Sequence, residues 1–88
     1  MPKREFTPDW ATHPADHIKE YLETRGWKQA DLARASGLTQ KSVSDIMTKD
    51  TRLNARTAIA LEKALGLKAR VWLALQANWD LHEERRKQ

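Results

Sequence analysis

The 88-residue sequence contains no cysteine. A disulfide framework and a thiolate metal site are therefore excluded, and because a reducing compartment suits such a chain, we expect a cytoplasmic protein. No apolar run approaches the roughly 20 residues that a membrane-spanning helix needs, and no apolar stretch of a signal peptide follows the basic N-terminal residues. We therefore expect neither a membrane protein nor a secreted one.

Proline and glycine are also scarce, with three residues of each, and their positions divide the chain. All three prolines lie within the first 14 residues, where hydrophobic periodicity is weak. We interpret residues 1–12 as an N-terminal arm and residues 13–88 as one domain. Trp10 lies in this arm, and the sequence leaves open whether it folds over the domain or contacts a partner. The three glycines separate amphipathic segments, which indicates helices with glycine at their ends.

After the arm, apolar residues recur at helical spacing almost everywhere, and no segment shows the alternation of a β-strand. Pro14 suits the first position of a helix, and Gly66 suits the left-handed end of another. The sequence therefore predicts an all-α, five-helix domain with a short N-terminal arm. The predicted helices cover residues 14 to about 25, residues 29–36, the segment after the N-cap Thr39, the segment between the N-cap Asn54 and Gly66, and residues from about 69 into the eighties.

The second and third predicted helices have the pattern of a helix-turn-helix. Ala33 is small where the next helix must cross closely, Gly37 permits a positive φ in the turn, and Val43 with Ile46 can fill the gap between the helices. The third helix then buries little, and its outer face is polar. Because a helix about 10–12 Å across fits the major groove of DNA, we predict that this face reads bases; a helical hairpin with a solvated face is the alternative. The predicted base-reading residues are Gln40, Lys41, Ser44 and Asp45.

Neighbouring residues are predicted to contact the phosphate backbone. An amide at the start of the second helix would lie beside a phosphate, next to N-terminal backbone N–H groups. Basic residues also cluster in the loop after the third helix and at the start of the fourth, where charge and helix dipole favour an anion. The net charge of +4 permits such a partner without requiring it. The predicted phosphate-binding residues are Gln29, Thr39, Ser42, Lys49, Arg52, Asn54 and Arg56.

The last predicted helix has more apolar surface than one face of a small domain can absorb. One stripe contains Val71, Trp72, Leu75 and Trp79, and a second contains Leu73, Ala77 and Leu81. We expect one stripe to pack inward and the other to join a second subunit; the alternative is that all of them complete the monomer core. A two-fold dimer would place two recognition helices about 34 Å apart on a palindromic operator. The residues assigned to dimerisation are Trp72, Leu73, Leu75 and Trp79.

Residues suited to catalysis or metal binding are few. His13 and His17 are spaced i, i+4, but Pro14 begins the helix between them, so we do not expect them to share a face as zinc ligands. The sequence has no glycine-rich phosphate loop and no nucleophile beside a base, and the chain is too short to enclose a substrate pocket of the usual size. We therefore expect a binding protein without metal or cofactor, and not an enzyme.

Three segments resemble a known family. The segment QADLARASGLTQKSVSDIM resembles the phage-repressor-like (Xre/Cro) helix-turn-helix class. The segments HPADHIKEYLETRGWKQADLA and RTAIALEKALGLKARVWLALQANWDL resemble the HigA-type antitoxins of bacterial toxin–antitoxin modules, from about Thr12 to Leu81. The resemblance implies a homodimer that binds double-stranded DNA, represses its own operon and neutralises a small HigB-like ribonuclease toxin of the RelE-like fold. The alternatives are a stand-alone repressor without a toxin and a module whose third helix binds protein.

Overall fold

A computed structural model describes residues 12–88, so that most of the predicted N-terminal arm, with Trp10, lies outside the described residues. The described chain is all-α, with five helices and no strand, which confirms the predicted fold class. None of these helices is both long enough and apolar enough to cross a membrane. The helices are α1 (Pro14–Arg25), α2 (Gln29–Ser36), α3 (Gln40–Met47), α4 (Ala55–Leu65) and α5 (Ala69–Arg86).

The predicted caps of α3 and α4 are confirmed. Thr39 Oγ1 accepts the backbone N–H of Ser42 at 3.0 Å, which satisfies one free donor at the start of α3. Asn54 Oδ1 accepts the N–H of Thr57 at 2.9 Å, while the N–H of Asn54 donates to the Thr57 hydroxyl at 2.8 Å. Gly66 ends α4 with a φ of 92°, a conformation that glycine adopts without strain.

Two other helix starts use residues that are less usual caps. His13 precedes α1, and its Nδ1 accepts the backbone N–H of Ala15 at 2.9 Å. Lys28 precedes α2, where its side chain makes no capping bond, but its N–H donates to the Asp31 carboxylate at 2.8 Å. These contacts fix the N-termini of α1 and α2 although neither position has a serine, threonine or asparagine.

The core combines one face of each helix around Trp72. The Trp72 side chain has an exposed fraction of 0 %, so the whole indole lies inside a single chain and offers no surface to a second one. The assignment of Trp72 to dimerisation is therefore wrong. Leu73 and Leu75 pack partly buried against the same core. The other buried apolar residues of the main cluster are Ile18, Leu22, Leu32, Ala33, Val43, Ile46, Leu53, Ala58, Leu61 and Leu65.

Candidate nucleic-acid interface

The turn between α2 and α3 is held by short-range hydrogen bonds. Ala33 is buried, as its small size predicts, and its carbonyl accepts the N–H of Gly37 at 2.9 Å. The buried Ser36 hydroxyl accepts the N–H of Leu38 at 3.2 Å, a contact that sequence reasoning missed because serine in a turn usually reads as solvent-exposed. Val43 and Ile46 are buried on the inner face of α3, so that the helix pair packs as a helix-turn-helix.

The outer face of α3 is polar and accessible. Gln40, Lys41 and Ser44 are exposed, and Asp45 is half-buried. Because residues four apart lie one turn above each other, the four side chains form one continuous patch. Lys41 Nζ lies 3.4 Å from Asp45 Oδ2, but the Lys41 side chain is 85 % exposed, and an ion pair this open contributes at most about 1 kcal/mol. Lys41 is thus accessible to a ligand that approaches this face.

The starts of α3 and α4 line one shallow groove of about 270 Å³. Two helix N-termini in one groove add their positive dipole ends to the charge of the exposed Arg56. The groove brings together four of the predicted phosphate-binding residues, while Gln29 lies outside it at the exposed start of α2. The lining residues are Gly37, Leu38, Thr39, Ser42, Asn54, Arg56 and Thr57.

The other two predicted phosphate-binding residues, Lys49 and Arg52, contact α5. Arg52 forms an ion pair with Asp80, with Nε 3.0 Å from Oδ2 and Nη2 on the same oxygen. Lys49 Nζ lies 5.3 Å from the ring centroid of Trp79, within the range of a cation–π contact. The loop between α3 and α4 therefore contacts α5 through both of its basic residues, Lys49 and Arg52.

Gln76 fixes this arrangement from inside. Its side chain is only 3 % exposed; Oε1 accepts the backbone N–H of Leu53 at 2.9 Å, and Nε2 donates to Asp80 Oδ1 at 3.0 Å. Both ends of the buried amide are thus satisfied, as a polar group removed from water requires. The hydrogen bond from Arg52 lowers the pKa of Asp80 below its ordinary value, although partial burial acts in the opposite direction.

Trp79 lies at the centre of a second cluster beside the loop. The His13 ring meets it edge-on, with 5.2 Å between the ring centroids, and the His82 ring lies 5.6 Å away. Burial, followed by the charge of Lys49, lowers the pKa of His13 below its ordinary value of 6.5. Trp79 is thus largely engaged within its own chain, and its assignment to a dimer contact stays a prediction.

Comparison with known proteins agrees with this geometry. A helix-turn-helix family model matches residues 18–72, and the chain belongs to that family. It is 31 % identical over 70 residues to YddM of Escherichia coli K12, an HTH-type transcriptional regulator, covering 80 % of this chain and 74 % of YddM.

Two solved structures are similar over most of their length. One is PA4674 of Pseudomonas aeruginosa in complex with its 18-bp operator DNA, with a TM-score of 0.83, 26 % identity, and 90 % of this chain and 86 % of that chain covered. The other is an addiction module antidote protein of the HigA family from Coxiella burnetii, with a TM-score of 0.79, 25 % identity, and 86 % and 84 % covered. These matches confirm the resemblance to HigA-type antitoxins.

Proposed function

We propose that the protein binds a specific DNA operator through the outer face of α3. The observation that supports this most directly is the exposed polar patch of α3 beside the groove that Arg56 and the starts of α3 and α4 line. In B-DNA, a glutamine can pair with adenine, a lysine can donate to guanine, and an aspartate can accept from cytosine N4. Gln40 and Lys41 in the first turn of α3 are the leading readers, with Ser44 and Asp45 one turn later.

The phosphate contacts fit the same docking. Arg56 and the N-termini of α3 and α4 meet one phosphate from the groove, and Gln29 meets another from the start of α2. Thr39, Ser42 and Asn54 shape the groove, since their side chains cap the two helices or bond each other. These contacts hold the protein on any duplex, and the α3 patch adds the sequence preference.

The test compares variants at the α3 patch with a matched control. The preference compared is that for a duplex from the region upstream of the protein's own gene over a random duplex. Gln40→Ala and Lys41→Ala should each reduce this preference by about 1–3 kcal/mol. Lys19→Ala on the exposed face of α1 removes the same charge elsewhere and should leave that preference intact. Fluorescence anisotropy gives both affinities, and circular dichroism checks the fold. An unchanged preference in both α3 variants would refute the assignment.

We also propose a homodimer joined along α5, on a palindromic operator. Leu73, Leu75 and Trp79 each keep a minor part of their surface exposed, and Leu81, on the same helix, is 50 % exposed. Leu81→Gln should weaken the dimer in sedimentation equilibrium. Ile59→Gln on α4 is the matched control, because Ile59 is 58 % exposed and has a similar volume. A dimer that resists Leu81→Gln but dissociates with Ile59→Gln would move the contact to α4.

We further propose that the protein is the antitoxin of a small HigB-like ribonuclease toxin of the RelE-like fold, and that it represses its own operon. The support is the similarity to the HigA-family antidote protein. The adjacent small open reading frame is induced with and without this protein, and growth and co-purification are followed. Toxicity that this protein relieves, with a stable complex, is the expected result. No toxicity, or toxicity without rescue, would leave a stand-alone repressor.

A further inference from the structure

Arg52 is held by a carboxylate that is itself held in place. Asp80 offers one oxygen to Nε and Nη2 of Arg52, and its other oxygen accepts from Gln76 Nε2. Gln76 is buried and tied to the backbone of the loop at Leu53. The Asp80 carboxylate is therefore fixed in position and faces the guanidinium of Arg52.

This contact has the chemistry of a phosphate contact. A guanidinium binds carboxylate and phosphate oxygens with the same N–H groups and the same charge complementarity. Asp80 therefore occupies the N–H groups with which Arg52 would meet a DNA backbone. Both side chains are accessible to water, Arg52 at 69 % and Asp80 at 34 % exposure, so a phosphate can compete with Asp80 for the guanidinium.

We propose that Arg52 exchanges partners on binding DNA, leaving Asp80 for a backbone phosphate, so that Asp80 is a built-in competitor that lowers the affinity for any duplex. This rests on the proposed DNA binding. The free carboxylate then lies beside the phosphates that Arg52 has joined, which adds repulsion to the lost ion pair. Asp80 thus restrains non-specific binding without contacting a base, because the same loss applies to every sequence.

Asp80→Asn tests this exchange, since it removes the charge and keeps a side chain that accepts a hydrogen bond. Affinity for a random duplex should rise roughly two- to fivefold, the range expected when a competing exposed ion pair is removed. Arg52→Ala should reduce the slope of log K against log salt by about 0.9, the effect of one phosphate contact. In the Arg52→Ala background, Asp80→Asn should then give a clearly smaller gain, because only the repulsion between the carboxylate and the phosphates is left to relieve.

Two further variants separate charge and structure. Glu84→Gln removes a carboxylate from the same helix, one that pairs with Lys87 at 3.6 Å, and should leave affinity within error if the gain is specific to Asp80. Arg52→Lys keeps the cation without its fork and should keep the wild-type salt slope. Circular dichroism melting confirms that each variant is folded at the temperature of the titrations.

The outcomes separate the exchange from DNA binding itself. Wild-type protein that binds neither duplex at low salt would overturn the proposed function and the exchange with it. Wild-type binding that Asp80→Asn leaves unchanged or weakens would overturn the exchange alone, as would an equal gain in the Arg52→Ala background. A salt slope for Arg52→Lys as low as that for Arg52→Ala would also overturn it, because the charge of Arg52 would then not be what meets the phosphate.

Discussion

Lys49, the second residue after α3, has a backbone conformation that glycine would adopt more easily. Its φ is 68°, and it is the one non-glycine residue with positive φ in residues 12–88. Its N–H donates to the Ile46 carbonyl at 3.1 Å, and the N–H of Asp50 donates to the Asp45 carbonyl at 2.9 Å. This pair of bonds is the pattern of a Schellman motif, which closes a helix with a left-handed residue. The Cβ atom of a residue other than glycine is strained there by about 1–2 kcal/mol.

Lys49→Gly and Lys49→Ala form the informative comparison. Both lose the contact with Trp79, worth about 0.5–1 kcal/mol, but only Lys49→Gly relieves the strain. Glycine also gives the unfolded chain more freedom, which offsets about 0.4–1 kcal/mol of that relief. Lys49→Gly should therefore be about 1 kcal/mol more stable than Lys49→Ala, which corresponds to a difference in Tm of about 4–8 °C in a domain of this size.

Urea denaturation followed by circular dichroism at 222 nm measures the difference, since the domain is helical throughout residues 14–86 apart from its turns and loops. Lys49→Asn should fall between the two, because asparagine tolerates the left-handed region better than alanine does. If Lys49→Ala were as stable as Lys49→Gly, with equal m-values, the left-handed end of α3 would be refuted as a source of strain.

Three further predictions concern the interior and the loop. Trp72→Ala should cost about 3–5 kcal/mol of unfolding free energy in urea titrations, and a loss under 1 kcal/mol would contradict its place in the core. The pKa of His13 is lower in the folded state, so the unfolded chain takes up the proton first as the pH falls. The contribution of His13 to the free energy of unfolding should therefore be full above pH 6.5 and decrease below it. Thermal melting at several pH values should show a smaller decrease for His13→Asn. Gln76→Ala leaves the Leu53 N–H without its acceptor and should cost about 1–3 kcal/mol, with faster amide exchange at Leu53 as the specific sign.

The helices were predictable because their signals are local. Pro14 begins α1 and Gly66 follows α4, as the sequence predicts, and Thr39 and Asn54 cap the two helices that they precede. Each of these signals acts through backbone groups only a few residues away, so it needs no knowledge of the tertiary structure. The sequence does not indicate the cap at His13, because histidine is not among the residues that usually cap a helix N-terminus.

The orientation of α5 was not predictable from periodicity. Apolar residues lie on both of its stripes, so the pattern does not say which stripe packs inward. Trp72, which the sequence analysis assigns to the dimer contact, packs into the core of its own chain. The sequence does not indicate the contacts of Gln76 and Asp80, because polar residues on a helix are mostly solvent-exposed. Their roles depend on the loop at Arg52 and Leu53, which is 23 to 28 residues away in sequence. Contacts of that separation leave no local pattern that a single sequence reveals.

The two sides of α5 make the proposals separable by experiment. Gln76 and Asp80 meet the loop beside α3, whereas Ala77 and Leu81, each one residue further along, are exposed. Consecutive helical residues lie about 100° apart around the axis, so a substitution on one side need not disturb the other. Leu81→Gln should then change the oligomeric state while leaving the affinity per chain for a random duplex intact, and Asp80→Asn should raise that affinity while leaving the oligomeric state unchanged. If both variants changed both properties, the loop and the subunit contact would form one cooperative unit, and α5 would couple dimerisation to the presentation of Arg52.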